Sequence, residues 1–495
     1  MRNCLFILFL LGLPVLTSAQ DKRKLEFKIT GLKDRDTVYL ANYYGNRLYY
    51  ADTALANAKA EVVFARPSGY KAGIYAVVVP GPKYFEFIAD EPEVLMESDR
   101  EDLNGRMVVK NSVQNKAFYD YIRFLNDKKK EGDAIREKRE SSTNPLQRSM
   151  AKQQLEDLDL GVRKHQAELV KQYPGTLFSV IVNMGIPTEQ VELTTPDGKV
   201  DSLASYYNFR QHFWDNTALT DERIVRTPMF QNKLEEYIGK IVPQIPDTIN
   251  RLADDLIGRL GTSEELFKFV VHNITYKYET SEIMGMDAVF VHMAETYYCP
   301  PPGQKSRAVW MDEEKLKKMC ERARKMAPIV IGAKSRNIIL PDTTEQRWID
   351  LHKLPNEYIY VVFWDPHCGH CKKTLPDIYK QYQEILKPKG IEVFSVAKAT
   401  DSTLFADWRK FIREHDMRWV NVGLTANVFK DARKNPGKYV PSITTIESLN
   451  YMDTWDVHST PKFFVLDGDR KIVGKSITPE QAADLIERLR AAKKR

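Results

Sequence analysis

Hydrophobic positions change their spacing twice along the chain. From residue 24 to about 110 they follow a strand period: Leu25, Phe27 and Ile29 are separated by charged residues. Short aromatic and β-branched runs then recur at 38–40, 43–44, 75–79 and 84–88, with Gly, Pro and Asp between them. This pattern predicts a small all-β domain over 24–110, sandwich- or barrel-like. From 111 to 325 the period becomes helical. Residues 115–140 and 146–173 read as two long charged helices joined by Ser141-Ser142-Thr143-Asn144-Pro145, an antiparallel hairpin. Thr262-Ser263-Glu264-Glu265 has the form of a capping box before the apolar run 266–271. A buried helix is expected over 284–298, a break at Cys299-Pro300-Pro301-Pro302-Gly303, and a further helix over 312–325.

From 326 to 495 strand and helix patterns alternate. Residues 358–364 form a continuous apolar run, the mark of a strand buried on both faces. A helix over 371–386 with Pro376 inside it follows, then strands at 391–396 and 419–422 with a helix over 403–415 between them. Residues 463–466 and 470–473 flank Asp467-Gly468-Asp469, a hairpin signal, and Thr478-Pro479-Glu480-Gln481 opens a last helix. The expected architecture is multidomain α+β: an all-β domain, a helical middle domain and a C-terminal α/β domain. A chain of 495 residues is too long for one core, and 43% hydrophobic with 28% charged residues excludes wholesale disorder.

Charge adds little. The net +6 lies partly in Lys493-Lys494-Arg495, and this tail and Lys128-Lys129-Lys130 read as solvated surface. No nucleic-acid motif accompanies them, so nucleic acid is not an expected partner. The N-terminus matters more. Met1-Arg2-Asn3 is a basic start, 5–16 is apolar with Gly12 and Pro14 inside, and Thr17-Ser18-Ala19 offers a cleavage site. Residues 1–19 therefore read as a cleavable signal peptide, too short for a membrane anchor, and the expected location is the periplasm. Cys4 leaves with it.

The chemistry is expected at Cys368-Gly369-His370-Cys371, where the apolar run ends and a helix begins. Two cysteines at this spacing reach each other within one helical turn. The first sulfur sits at a helix N-terminus, where free N–H groups and the helix dipole favour the thiolate. That is the form that attacks disulfides. Other uses of the motif fit less well. A zinc site would need Cys299 and Cys320, which are not a close pair, or His367 and His370; no metal is expected. Haem attachment needs a His where Lys372 stands. His272 and His292 read as structural. In an oxidising compartment Cys299 and Cys320 are either a structural disulfide, worth about 3 kcal/mol for such a loop, or two buried thiols. Both readings stay open.

The element order of 326–495 resembles the thioredoxin fold. Phe363-Trp364 ends a strand shortly before the first cysteine, Pro376 lies where thioredoxins kink the following helix, and Thr460-Pro461 directly precedes the hairpin, where the family has a cis-proline. Within the superfamily the chain is most similar to the TlpA/ResA-like periplasmic thiol–disulfide oxidoreductases. Ile331-Gly332 and Ile338–Asp342 resemble their entry segment, and the long insertion between Cys371 and Pro461 suits them too. The upstream β and helical regions resemble the uncharacterised N-terminal domains of some multidomain members. The resemblance implies catalysis by Cys368 as nucleophile and a more buried Cys371 as resolving thiol. It places Trp364, Pro366, His367, Gly369 and His370 around them, and Thr460-Pro461 in a substrate-binding loop. It implies no cofactor beyond the redox-active disulfide. Protein thiols and disulfides are the partners, with a membrane-embedded electron donor or acceptor; the sequence sets no oligomeric state.

One departure stands out. Thioredoxin has a buried Asp two residues before its Trp, to take the proton of the second cysteine, and here that position is Val362. Glu447, Asp456 or a water are the candidates to replace it. The direction is read as reductase by resemblance alone. C-G-H-C also occurs in protein disulfide isomerases, and a His370 imidazole beside the thiolate would favour the reduced state and a more oxidising couple. Peroxidase chemistry would need a Thr where Asp365 stands. A partner-binding scaffold with a secondary redox site is the remaining alternative.

Overall fold

The computed structural model describes residues 23–493. The signal peptide read at 1–19 lies outside them. The chain divides into two compact units. One runs to Val242 and takes in Leu256–Phe269; the other holds Pro243–Asp255 and the chain from Val270 on.

The first unit begins with eight short strands: β1 (Lys24–Thr30), β2 (Thr37–Tyr44), β3 (Arg47–Leu55), β4 (Glu61–Phe64), β5 (Gly73–Val79), β6 (Lys83–Ala89), β7 (Glu93–Asp99) and β8 (Val108–Val109). They form two sheets, β4-β1-β7-β8 and β3-β2-β5-β6, around one apolar core. The alternation read at Leu25, Phe27 and Ile29 is the inward face of β1, and all three are fully buried. Phe27 stitches the sheets together: its ring meets Phe64 at 6.2 Å, Phe85 at 5.6 Å and Phe87 at 5.0 Å, all edge-on. Two separate sheets facing one core make a sandwich rather than a barrel.

The helical hairpin follows as α1 (Val113–Ser141) and α2 (Pro145–Gln172). Ser112 caps α1 by accepting from the Asn115 N–H at 3.1 Å, and Asn144 caps α2 with Pro145 in its first turn. The buried Asn115 amide bonds both backbone groups of Ile88, at 2.7 and 2.8 Å, and so ties α1 to β6. Helices α3 (Leu177–Met184), α4 (Ser202–His212) and α5 (Pro228–Glu236) come next. The division between the units passes through α6 (Pro246–Gly258) and α7 (Glu264–Glu279). At the start of α7 it is Ser263 that caps, accepting from Leu266 N–H at 3.2 Å, one residue later than the box predicts.

In the second unit α8 (Asp287–Met293) continues in wider turns to Tyr298, and α9 (Glu313–Met326) follows the proline-rich break. Cys299 and Cys320 are joined by a disulfide, with Cα atoms 5.6 Å apart, so neither is available as a metal ligand. Strands β9 (Ile339–Pro341) and β10 (Trp348–Asp350) form a small antiparallel ribbon. The main sheet contains β11 (Tyr358–Trp364), β12 (Ile391–Ala399), β13 (Val420–Thr425), β14 (Lys462–Leu466) and β15 (Ile472–Lys475), in the order β13-β12-β11-β14-β15. The first three are parallel and the last two antiparallel. Around it lie α10 (Gly369–Gln381), α11 (Ser402–Glu414), α12 (Ala426–Lys434), α13 (Ile446–Leu449), α14 (Tyr451–Thr454) and α15 (Pro479–Lys493).

Central strand β11 explains the continuous apolar run. Tyr358, Tyr360, Val362 and Trp364 face one core with α10 and α15 residues; Ile359, Val361 and Phe363 face the other with Trp455, Phe464 and Val428. A strand with helices on both faces has no polar side to show. At the far end, Thr478 and Gln481 close a reciprocal capping box on α15, with the Thr478 N–H donating to Oε1 at 2.9 Å and the Gln481 N–H to the Thr hydroxyl at 3.3 Å.

Candidate functional site

The carboxyl end of β11 delivers the dithiol to the first turn of α10. Trp364 fixes this end: its indole N–H donates to the Ser395 hydroxyl at 2.9 Å and its ring lies 5.2 Å from Phe411. Pro366 is buried, and the chain then emerges at His367. Cys368 is itself the N-cap of α10, so its sulfur takes the place usually held by a Ser or Asp oxygen and accepts the Cys371 N–H at 3.3 Å. Its thiol reaches the Thr460 carbonyl at 3.4 Å. The Thr460–Pro461 peptide is cis. Pro376 lies inside α10, as the sequence indicates.

The two thiols are free and differ in surroundings: Cys368 is partly exposed, Cys371 buried. Burial works against the Cys368 thiolate. Hydrogen bonding from the Cys371 side chain and N–H, from Thr460 and from the His370 N–H outweighs it, and the thiol lies below its ordinary value. Burial dominates at Cys371 and pushes its thiol up to about 11. The groups that act most on Cys371 after burial are the Asp365 backbone, Cys368 and Thr460, with no carboxylate among them. Neither sequence candidate for the proton acceptor is drawn in. Glu447 is exposed on α13, and the Asp456 carboxylate is engaged by Lys462 at 3.2 Å and His458 at 2.9 Å.

The remaining expected residues divide. Gly369 opens α10 on the surface, and a side chain there would meet nothing within 4 Å. His370 is exposed, and its backbone N–H acts on Cys368. His367 pairs with a neighbouring helix instead, its Nε2 2.8 Å from Asp407 on α11. Sequence reasoning missed Asp365, Lys398 and Asp407. Asp365 and Lys398 form an ion pair at 3.2 Å beside the motif. Among the described residues no three His, Cys, Asp or Glu side chains gather to hold a metal.

A central parallel strand, a dithiol at the start of the next helix and a cis-proline loop against the first sulfur define a thioredoxin-like thiol–disulfide oxidoreductase domain. The family match and the curated relative agree. Residues 331–475 match the AhpC/TSA family, and residues 183–326 match a domain of unknown function (DUF5106). The thiol-disulfide oxidoreductase ResA of Bacillus subtilis (strain 168) is 24% identical over 155 residues, which cover 31% of this chain and 71% of that protein. Among solved structures, a thioredoxin-like protein from Bacteroides caccae ATCC 43185 is 17% identical, covering 60% of this chain and 98% of its own, with a TM-score of 0.39. A domain of a possible thiol-disulfide isomerase from Cytophaga hutchinsonii ATCC 33406 is 27% identical, covering 34% of this chain and 99% of its own, with a TM-score of 0.27. The C-terminal domain of this chain is thus similar to the TlpA/ResA-like thiol–disulfide oxidoreductases of the thioredoxin superfamily.

Proposed function

We propose that this protein is an exported, periplasmic thiol–disulfide oxidoreductase that reduces disulfides of other proteins through Cys368 and Cys371. The observation that carries the reading is the asymmetry of the two thiols, one lowered at a helix N-terminus and the other buried and raised. The Cys368 thiolate attacks one sulfur of a partner disulfide, forming a mixed disulfide and releasing the partner's other sulfur as a thiolate. The Thr460–Pro461 loop lies against the attacking sulfur and is the surface proposed to hold the partner's backbone. Cys371 then gives up its proton and attacks the Cys368 sulfur. The second partner thiol leaves, and the enzyme ends as the Cys368–Cys371 disulfide, having passed two electrons to the partner. Turnover needs a donor of two electrons, which for an exported protein means a membrane-embedded partner. No dissociable cofactor takes part.

The lowered Cys368 thiol favours a second direction. A stabilised thiolate stabilises the reduced form, and an oxidase or isomerase uses the same steps in reverse.

The asymmetry is tested by alkylation of the reduced protein across pH, read by mass spectrometry. A lowered thiol is a thiolate at lower pH, so Cys368 should be modified with a midpoint below the ordinary cysteine range of about 8.5. Cys371 should resist until the pH nears its raised value of about 11. Two cysteines titrating together in the ordinary range would remove the basis for assigning them different roles.

A further inference from the structure

Asp365 touches the dithiol turn through both its backbone and its side chain. Its carbonyl accepts the Cys368 N–H at 3.0 Å. Its Oδ1 accepts the His367 N–H at 2.8 Å, closing a local turn of the kind short acidic side chains make with the backbone two residues on. Its Oδ2 lies 3.2 Å from the Lys398 ammonium at the end of β12, with both partners partly buried. Its backbone amide acts on the Cys371 sulfur. The residues on either side are already fixed: Trp364 is hydrogen-bonded in the core and Pro366 is buried. His367 is held by Asp407. Residues 365–368 carry Cys368 to the helix N-terminus, and Asp365 accepts two hydrogen bonds within that stretch.

We propose that Asp365 is the positioning residue of the dithiol, clamping the turn that seats Cys368 on the N-terminus of α10, with Lys398 anchoring the clamp to the sheet. The proposal rests on Cys368 being the attacking sulfur. It also gives Asp365 a role distinct from a proton acceptor, because the clamp needs its oxygen as a hydrogen-bond acceptor rather than as a base.

The test is single-turnover reaction of the reduced full-length protein with an aromatic disulfide at pH 7, for wild type, Asp365→Ala and Asp365→Asn. The Ala variant loses the bond to His367 and should attack about tenfold more slowly, since a sulfur released from the helix N-terminus is less often a thiolate. The Asn variant keeps an oxygen that accepts the same N–H but loses the pair with Lys398, and should lie between the two, within about threefold of wild type. Wild-type speed in the Ala variant would overturn the proposal, as would an Asn variant as slow as Ala. Hydrogen exchange of the His367 and Cys368 amides in the unmodified protein provides a measurement that needs no variant to fold. Protection is expected at both, and exchange at unstructured rates would overturn the clamp. A wild-type protein that does not react with the disulfide would sink the assignment of Cys368 instead, leaving the exchange rates to decide the clamp.

Discussion

Replacing Cys368 with serine is expected to abolish reduction of a protein disulfide, a loss of at least about a thousandfold, because a hydroxyl is almost never ionised at neutral pH and cannot form the mixed disulfide. Replacing Cys371 with serine should have a different effect. The first attack remains, since the Cys368 sulfur keeps the backbone N–H of residue 371 and the Thr460 carbonyl as neighbours. Resolution is lost, so a covalent complex of enzyme and partner should accumulate on a non-reducing gel. The pair of variants separates the two roles without needing the natural partner. A trapped complex with the Cys368 variant, or none with the Cys371 variant, would mean that the nucleophile is wrongly assigned.

The second large effect is on stability. Phe363 is fully buried and directly precedes Trp364 in β11. Its ring lies 5.8 Å from Tyr451, 5.2 Å from Trp455 and 6.0 Å from Phe464. Truncation to alanine removes the centre of this cluster and leaves a cavity that the rigid central strand cannot collapse, so Phe363→Ala should cost about 3–5 kcal/mol. Urea unfolding followed by tryptophan fluorescence reads this directly, because Trp364 and Trp455 flank the site. Activity should fall with the folded fraction rather than independently of it. A variant with unchanged unfolding would mean that this face of the sheet is not the core described.

The chemistry of the site was more legible in the sequence than its supports. Cys368, Cys371 and Thr460-Pro461 can be read because a motif at a strand–helix junction and a proline before a hairpin are local signals. Asp365 entered the sequence reading only as the residue that rules out peroxidase chemistry, because its partner Lys398 comes from a neighbouring parallel strand and no local pattern links the two. For the same reason Asp407, which holds His367, was missed.

In the fold, elements with a strong period emerged and elements without one did not. Strand β3 is exposed or partly exposed along its whole length, so it carries no alternation to read. Helix α4 buries none of its residues and therefore has no apolar stripe. The short helices α12, α13 and α14 fill the insertion before Thr460, where four to nine residues are too few for a period to show. By contrast α1 and α2 were found to within a few residues, because length and paired charges mark them plainly.

The most direct test of the account is the reduction potential of the Cys368–Cys371 couple, measured by equilibrating the full-length protein with glutathione buffers and quenching with acid. The account predicts a single reversible two-electron transition, and for a reductase a value below about −250 mV. A value above about −200 mV would contradict the reductase direction and assign the protein to the oxidase or isomerase side. No reversible transition at all would contradict the dithiol chemistry itself.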